Sequence, residues 1–179
     1  MTVVVAGILL GLAVPSFTNF QRSNAMAAAV NDLVTGTLLA RSEAVKRQVP
    51  VTLCITADPS AEPPVCGADP KGAFVVFADA DGDAQFDAGD VLLLQSSAPQ
   101  RRVRVWMDNP VVIYGSAGFP RSSTATRFLF CDDRGTRTEA GGRTAARVVL
   151  IDPTGRAAIR SDKHFVDEAV DALDAECAA

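Results

Sequence analysis

The residues whose types and spacing best suit chemistry are five aspartates in one short stretch, Asp79, Asp81, Asp83, Asp87 and Asp90. Counted from Asp79 they fall at positions one, three, five, nine and twelve, a spacing that can turn several hard oxygens onto one calcium ion. The glycine of such a loop belongs at position six, where Ala84 stands, and Asp90 replaces the bidentate glutamate of position twelve. The stretch is either a degenerate Ca2+ loop or an acidic, solvated hairpin turn.

A second group is basic. Arg156 and Arg160 stand an even number of residues apart on an expected strand, so both project from one face. With Arg101, Arg102, Arg104, Arg143, Arg147 and Lys163 they form a set able to bind phosphates, DNA among them. The alternative is ordinary arginines on a solvated β surface. Charge is segregated along the chain: residues 1–47 sum to +2, 48–100 to −7, 101–163 to +6 and 164–179 to −5, giving a formal net charge of −4. An acidic tail folded near the arginines would repel a nucleic acid.

Four cysteines, Cys54, Cys66, Cys131 and Cys177, with one histidine, His164, and no C-x-x-C pair, do not make a zinc site. An even count behind an apolar N-terminus fits disulfides in an exported head, and Cys54 with Cys66 would close a short proline-rich loop. Free core cysteines are the alternative. No G-x-S-x-G elbow or phosphate loop occurs, and no carboxylate pair stands in an apolar context that would tune it for acid–base work. The expectation is a protein without catalytic residues and, calcium aside, without a cofactor.

The elements that must position these groups are legible from periodicity. Val3 to Val14 is an unbroken apolar or glycine run, and no charge occurs before Arg22. It is shorter than the ~20 residues that span a bilayer, yet too apolar for a surface helix. A membrane anchor, a buried helix and a secretory signal cut at Ala25-Met26-Ala27 compete here. Gly7 and Gly11, at small-x-x-x-small spacing, favour close helix packing in a membrane. Beyond Pro15, a residue able to kink a helix, Met26, Val30, Leu33, Thr37, Ala40 and Ala44 recur at intervals of three and four, opposite Asn24, Asn31, Asp32, Arg41, Ser42 and Lys46. The helix should end near Arg47, before Pro50.

From there the sequence alternates between strand-like runs and turns. Strands are expected at 51–56, 73–78, 91–95, 102–106, 111–114, 127–131, 147–151 and 156–160, with strict alternation in Arg102-Val103-Arg104-Val105 giving one buried face and one wet, basic face. A short acidic helix is expected over 166–176. The fold class is therefore α+β, a long N-terminal helix packed on antiparallel sheets in a sandwich-like head. The chain divides into an apolar half-helix at 1–24, an amphipathic half at 25–48, a β-rich head at 49–163 and an acidic tail at 164–179.

The order Leu12-Ala13-Val14-Pro15-Ser16-Phe17, Asn31-Asp32-Leu33, Ala40-Arg41-Ser42-Glu43-Ala44-Val45-Lys46-Arg47 and Pro50-Val51-Thr52-Leu53-Cys54 resembles the N-terminus of FimT/GspH-type subunits, the minor pilins and type II secretion pseudopilins. The acidic hairpin Phe77 to Asp90 and the late Pro153-Thr154-Gly155-Arg156 fit the same family. The resemblance implies a non-enzymatic subunit of a type IV pilus or pseudopilus, joined to other pilins through its N-terminal helix. It also implies a single pass of the bacterial inner membrane and a periplasmic head. Such proteins open with a basic leader, then Gly-Phe-Thr-Leu and Glu. This sequence opens at Met1-Thr2-Val3, which implies that the first helical turns lie upstream. The family's DNA-uptake motif Gly-Arg-x-Arg is departed from in Gly155-Arg156-Ala157-Ala158-Ile159-Arg160.

Overall fold

The computed structural model describes residues 2–69, 72–100, 102–139 and 141–177, with side chains from residue 17 onward. Its order is α1 (Thr2–Arg47), β1 (Val51–Thr56), β2 (Ala73–Ala78), β3 (Val91–Gln95), β4 (Arg104–Met107), β5 (Val111–Tyr114), β6 (Thr126–Cys131), β7 (Arg143–Ile151), β8 (Ala157–Asp162) and α2 (Lys163–Leu173).

Helix α1 runs through Pro15 and stops where its pattern stops. Gln48 turns into the left-handed region (φ 59°), and Pro50 lies beyond it. Glu43 pairs with Lys46 and Arg47 in the last turn, where cations suit the helix dipole. All six residues of the expected stripe are buried: Met26, Val30, Leu33, Thr37, Ala40 and Ala44. The buried Thr37 hydroxyl is satisfied by donating to the Leu33 carbonyl at 2.9 Å. Gly36 must be small because a Cβ there would strike the Phe74 ring.

The eight strands form two antiparallel sheets, β3-β2-β1-β5 and β4-β6-β7-β8. The α1 stripe packs on the inner face of both: Leu53, Ile55 and Val76 from the first sheet and Phe128, Phe130, Val149 and Ile151 from the second share one core with it. The intervening residues point outward and are buried as well. Cys54, Val75 and Phe77 lie beneath Cys66 and Phe86, while Leu129, Cys131, Ala146 and Val148 lie beneath Val166 and Ala169 of α2. Each sheet is thus buried on two faces, which is why β1, β2 and β6 carry runs of apolar residues.

Both disulfides close these outer layers. Cys54–Cys66 pins the proline-rich loop, and Cys131–Cys177 pins the end of α2, with Cα atoms 5.5 and 5.7 Å apart. Helix α2 begins three residues before the expected span because the Asp162 carboxylate caps it by accepting from the Phe165 amide at 3.0 Å. It ends at Asp174, whose left-handed backbone breaks the helix. The tail is therefore a layer of the head. The wet, basic sheet face expected from the Arg–Val alternation is found only at β4, an edge strand, where Arg104 is exposed and Val105 buried; elsewhere α2 covers that face.

Leu33→Ala should remove a fully buried side chain shared by both sheets and cost about 2–5 kcal/mol of head stability, read as a lower urea midpoint at unchanged slope.

Candidate assembly surface and charged loops

The side of α1 turned away from the head is apolar at intervals. Phe17 and Phe20 are 60% and 61% exposed and Leu38 56%, while Val45, 45% exposed, lies beside Gly118 of the head. By the 3.6-residue period Phe17, Phe20 and Leu38 lie opposite the buried stripe with Ala27, Ala28 and Thr35, interleaved with the polar Asn24, Asn31 and Ser42. Exposed aromatic and aliphatic side chains with small and polar residues between them suit a second helix. The apolar run Val3 to Val14 and the Gly7–Gly11 pair precede the residues whose side chains are described. Among the described residues no helix is long and apolar enough to cross a membrane.

Two arginines outside the expected phosphate-binding set lock α1 to the sheets. Arg134 grips the buried Asp132 carboxylate through Nε and Nη2 at 3.1 and 2.7 Å, and its Nη1 donates to Ser23 Oγ at 2.9 Å. Arg41 Nη1 donates to the Gly155 carbonyl at 3.4 Å. Gly155 sits at φ 78°, where an added Cβ would meet the Gly118 carbonyl oxygen at 3.0 Å and the Tyr114 ring at 3.1 Å. The Pro153-Thr154-Gly155-Arg156 turn is therefore a packing device against β5 and α1. Asp152 Oδ1 closes it, accepting from the Thr154 amide at 2.8 Å and the Arg156 amide at 3.1 Å. Burial raises the pKa of the Tyr114 phenol beneath this turn.

The five aspartates share one loop but do different work. Asp79 is fully buried and internally bonded: Oδ1 accepts from the Gly82 amide at 2.6 Å, and Oδ2 accepts from the Ala84 amide at 3.0 Å and Thr52 Oγ1 at 2.7 Å. Asp90 accepts from the Ala80 and Asp87 amides at 2.9 and 3.1 Å. Oxygens of Asp79, Asp81 and Asp83 approach within 4.8 Å of one another, the one grouping with metal-ligand spacing among the described residues. Burial, then the charges of Asp81, Asp90, Asp83 and Asp79, push the Asp87 carboxyl above its ordinary 3.8.

The basic residues do not converge. Arg101 lies outside the described residues. Arg102 reaches Asp133 at 3.9 Å, and Lys163 bonds Asp167 at 2.8 Å. Arg147 is half-buried, with Nη1 donating to the carbonyls of Thr144, Ala145 and Ala146. Arg104 lines a small cleft with Asp132, Asp133 and Glu176. Arg143 begins β7, opposite Asp162. Arg156 and Arg160 are exposed, but Arg160 lies opposite Val148, whose side chain packs beneath α2, so that side of β8 is the side occupied by the acidic helix.

A family profile described as "Type II transport protein GspH" matches residues 29–155, the interval from the amphipathic half of α1 to the β7–β8 turn. The chain belongs to the GspH family. In fold the GspH-type chain is similar to the type IV minor pilin FimU of Pseudomonas aeruginosa strain PAO1. In one crystal form of FimU the match has a TM-score of 0.54 at 17% identity over 79% of this chain and 92% of that one. In a second form the values are 0.49, 15%, 75% and 91%. No curated protein matches the chain in sequence. The N-terminal helix on two antiparallel sheets is thus the pilin fold, and the GspH match ends one residue before Arg156.

Asp79→Ala should leave two loop amides and the Thr52 hydroxyl without their acceptor and lower stability by about 1–3 kcal/mol, measured by chemical denaturation. The Thr154 hydroxyl and amide and the Arg156 amide hold the Asp152 carboxyl below 3.8, so its stabilisation is complete above 3.8 and is lost as pH falls through the lower folded value. Asp87 has the opposite sign: its penalty sets in as pH rises from 3.8 through its raised folded value. Carboxyl NMR should find Asp152 titrating below and Asp87 above 3.8; the reverse order would refute these environments.

Proposed function

We propose that the chain is a minor subunit of a type IV pilus or type II secretion pseudopilus, taking part in filament assembly at or near the tip. The observation that carries this reading is the set of exposed apolar side chains Phe17, Phe20 and Leu38 on α1, on the side that the head leaves uncovered. A helix that keeps large apolar side chains exposed opposite its buried face has one face for its own core and one for a neighbour. The apolar run ahead of it anchors the subunit in the inner membrane before assembly. The head lies in the periplasm, an oxidising compartment suited to its two disulfides. The role works by packing.

A DNA-binding role keeps Arg156 and Arg160 as its exposed pair. It predicts duplex binding that weakens steeply with salt and is lost in Arg156→Ala/Arg160→Ala. The acidic α2 on that side of the sheet argues for ranking it second.

Because Phe17 and Phe20 are largely exposed, Phe17→Glu/Phe20→Glu should change head stability by no more than about 0.5 kcal/mol while abolishing filament assembly or secretion in a complementation assay. Wild-type assembly by a stably expressed double variant would end the proposal.

A further inference from the structure

Between the disulfide-closed proline-rich loop and the acidic loop lies a groove of about 520 Å³ beside β3. Pro63, Pro64, Phe86 and Leu92 make its apolar floor and walls, and Glu62 and Asp87 stand on its rims. Its walls are fixed. Cys54–Cys66 closes one loop, Gln95 Nε2 donates to the Pro59 carbonyl to tie that loop to β3, and Phe86 packs edge-on against the buried Phe77 with ring centroids 5.4 Å apart. Along the groove runs β3, the terminal strand of its sheet, with no strand paired to its outer edge among the described residues. Val91 and Leu92 on it are 48% and 43% exposed.

We infer that this groove and the outer edge of β3 receive an extended segment of an adjoining subunit that carries arginine or lysine beside apolar side chains. This rests on the assembly role proposed above. An unpaired edge strand with exposed apolar residues is a template for strand addition, in which backbone hydrogen bonds supply affinity and alternate side chains enter pockets. Charge selects the partner. Residues 48–100 carry a net −7, and Asp87 is crowded by four like charges. An incoming cation at the rim relieves that repulsion, whereas an acidic strand adds to it. The β3 edge carries no lysine or arginine of its own from Val91 to Gln95 to turn a strand away.

The test uses the full chain in detergent micelles with chelator present, so that no divalent cation neutralises the acidic loop. Fluorescent Arg-Val-Arg-Val-Arg and Glu-Val-Glu-Val-Glu peptides serve as probes. The basic peptide should bind, slow hydrogen exchange in β3, and weaken at least about tenfold in 1 M salt, where the Debye length is ~3 Å, and in Glu62→Lys/Asp87→Lys with unchanged melting. The acidic peptide should not bind. Equal binding of both peptides, no binding of the basic one, protection outside β3, or full affinity in the charge-reversed variant would overturn the inference. Should Leu92→Arg be chosen instead, loss of binding with an intact fold supports the groove and full binding refutes it. A failed groove beside an assembly-defective Phe17→Glu/Phe20→Glu chain would leave the filament role standing.

Discussion

The structure depends on one stripe of α1 filling the space between two sheets. Met26, Val30, Leu33, Ala40 and Ala44 supply side chains to a core whose other walls are the inner faces of both sheets. Take the helix away and neither sheet has anything to cover that face. The same demand recurs outside, since each sheet also carries large apolar residues on its outer face: Val75 and Phe77 on one, Leu129 and Val148 on the other. These outer faces are covered by thin layers, a loop in one case and an 11-residue helix in the other. Thin layers bury little area and gain little on closing, and each is stapled by a disulfide whose loop closure restricts the unfolded chain.

With every sheet face occupied, the surface left for partners is the far side of α1, the sheet edges and the loops between strands. The far side of α1 carries exposed Phe17, Phe20 and Leu38 among polar residues, which suits packing against another helix. The edges and loops carry the charge, acidic around β3 and mixed around β4 and β8. This division explains why the arginine-rich middle of the sequence does not become one basic patch: its described members are spread over β4, β7, β8, the turns ahead of β4 and β8 and the start of α2, and several face carboxylates. It also explains why the acidic loop is rigid as well as charged. Asp79 has left solvent to hold the loop's backbone, and Phe86 is anchored in the outer layer.

Much of the fold was legible along the chain. The α1 stripe, its end before Pro50 and strands β1, β2, β3 and β5 lie where periodicity and turn residues put them, because helical and extended chains display their buried faces with periods that no other arrangement produces. Errors fall at ends set by single side chains or bends. Arg102 is in a left-handed turn ahead of β4, β7 begins at Arg143 through an irregular register, and the Asp162 cap starts α2 early. The candidate sites were less legible. The exposed Phe17, Phe20 and Leu38 do fall at helical spacing, but Asn24, Asn31 and Ser42 among them made that side read as a polar face. The clasps of Arg134 on Ser23 and Arg41 on Gly155 join residues 111 and 114 positions apart, and local pattern carries no trace of them.

By itself the sequence determined the element types, the inward face of α1, the segregation of charge by segment and, through its ordered residues, the family. Local periodicity and local chemistry are enough for these. Tertiary structure alone decided the joining of Cys131 to Cys177, the burial of one aspartate among five, the scattering of the arginines and the placing of the acidic tail over a sheet that alternation had left wet. Each of those depends on which strands become neighbours. That choice is made by the shared burial of residues far apart in the chain, which no window of sequence contains.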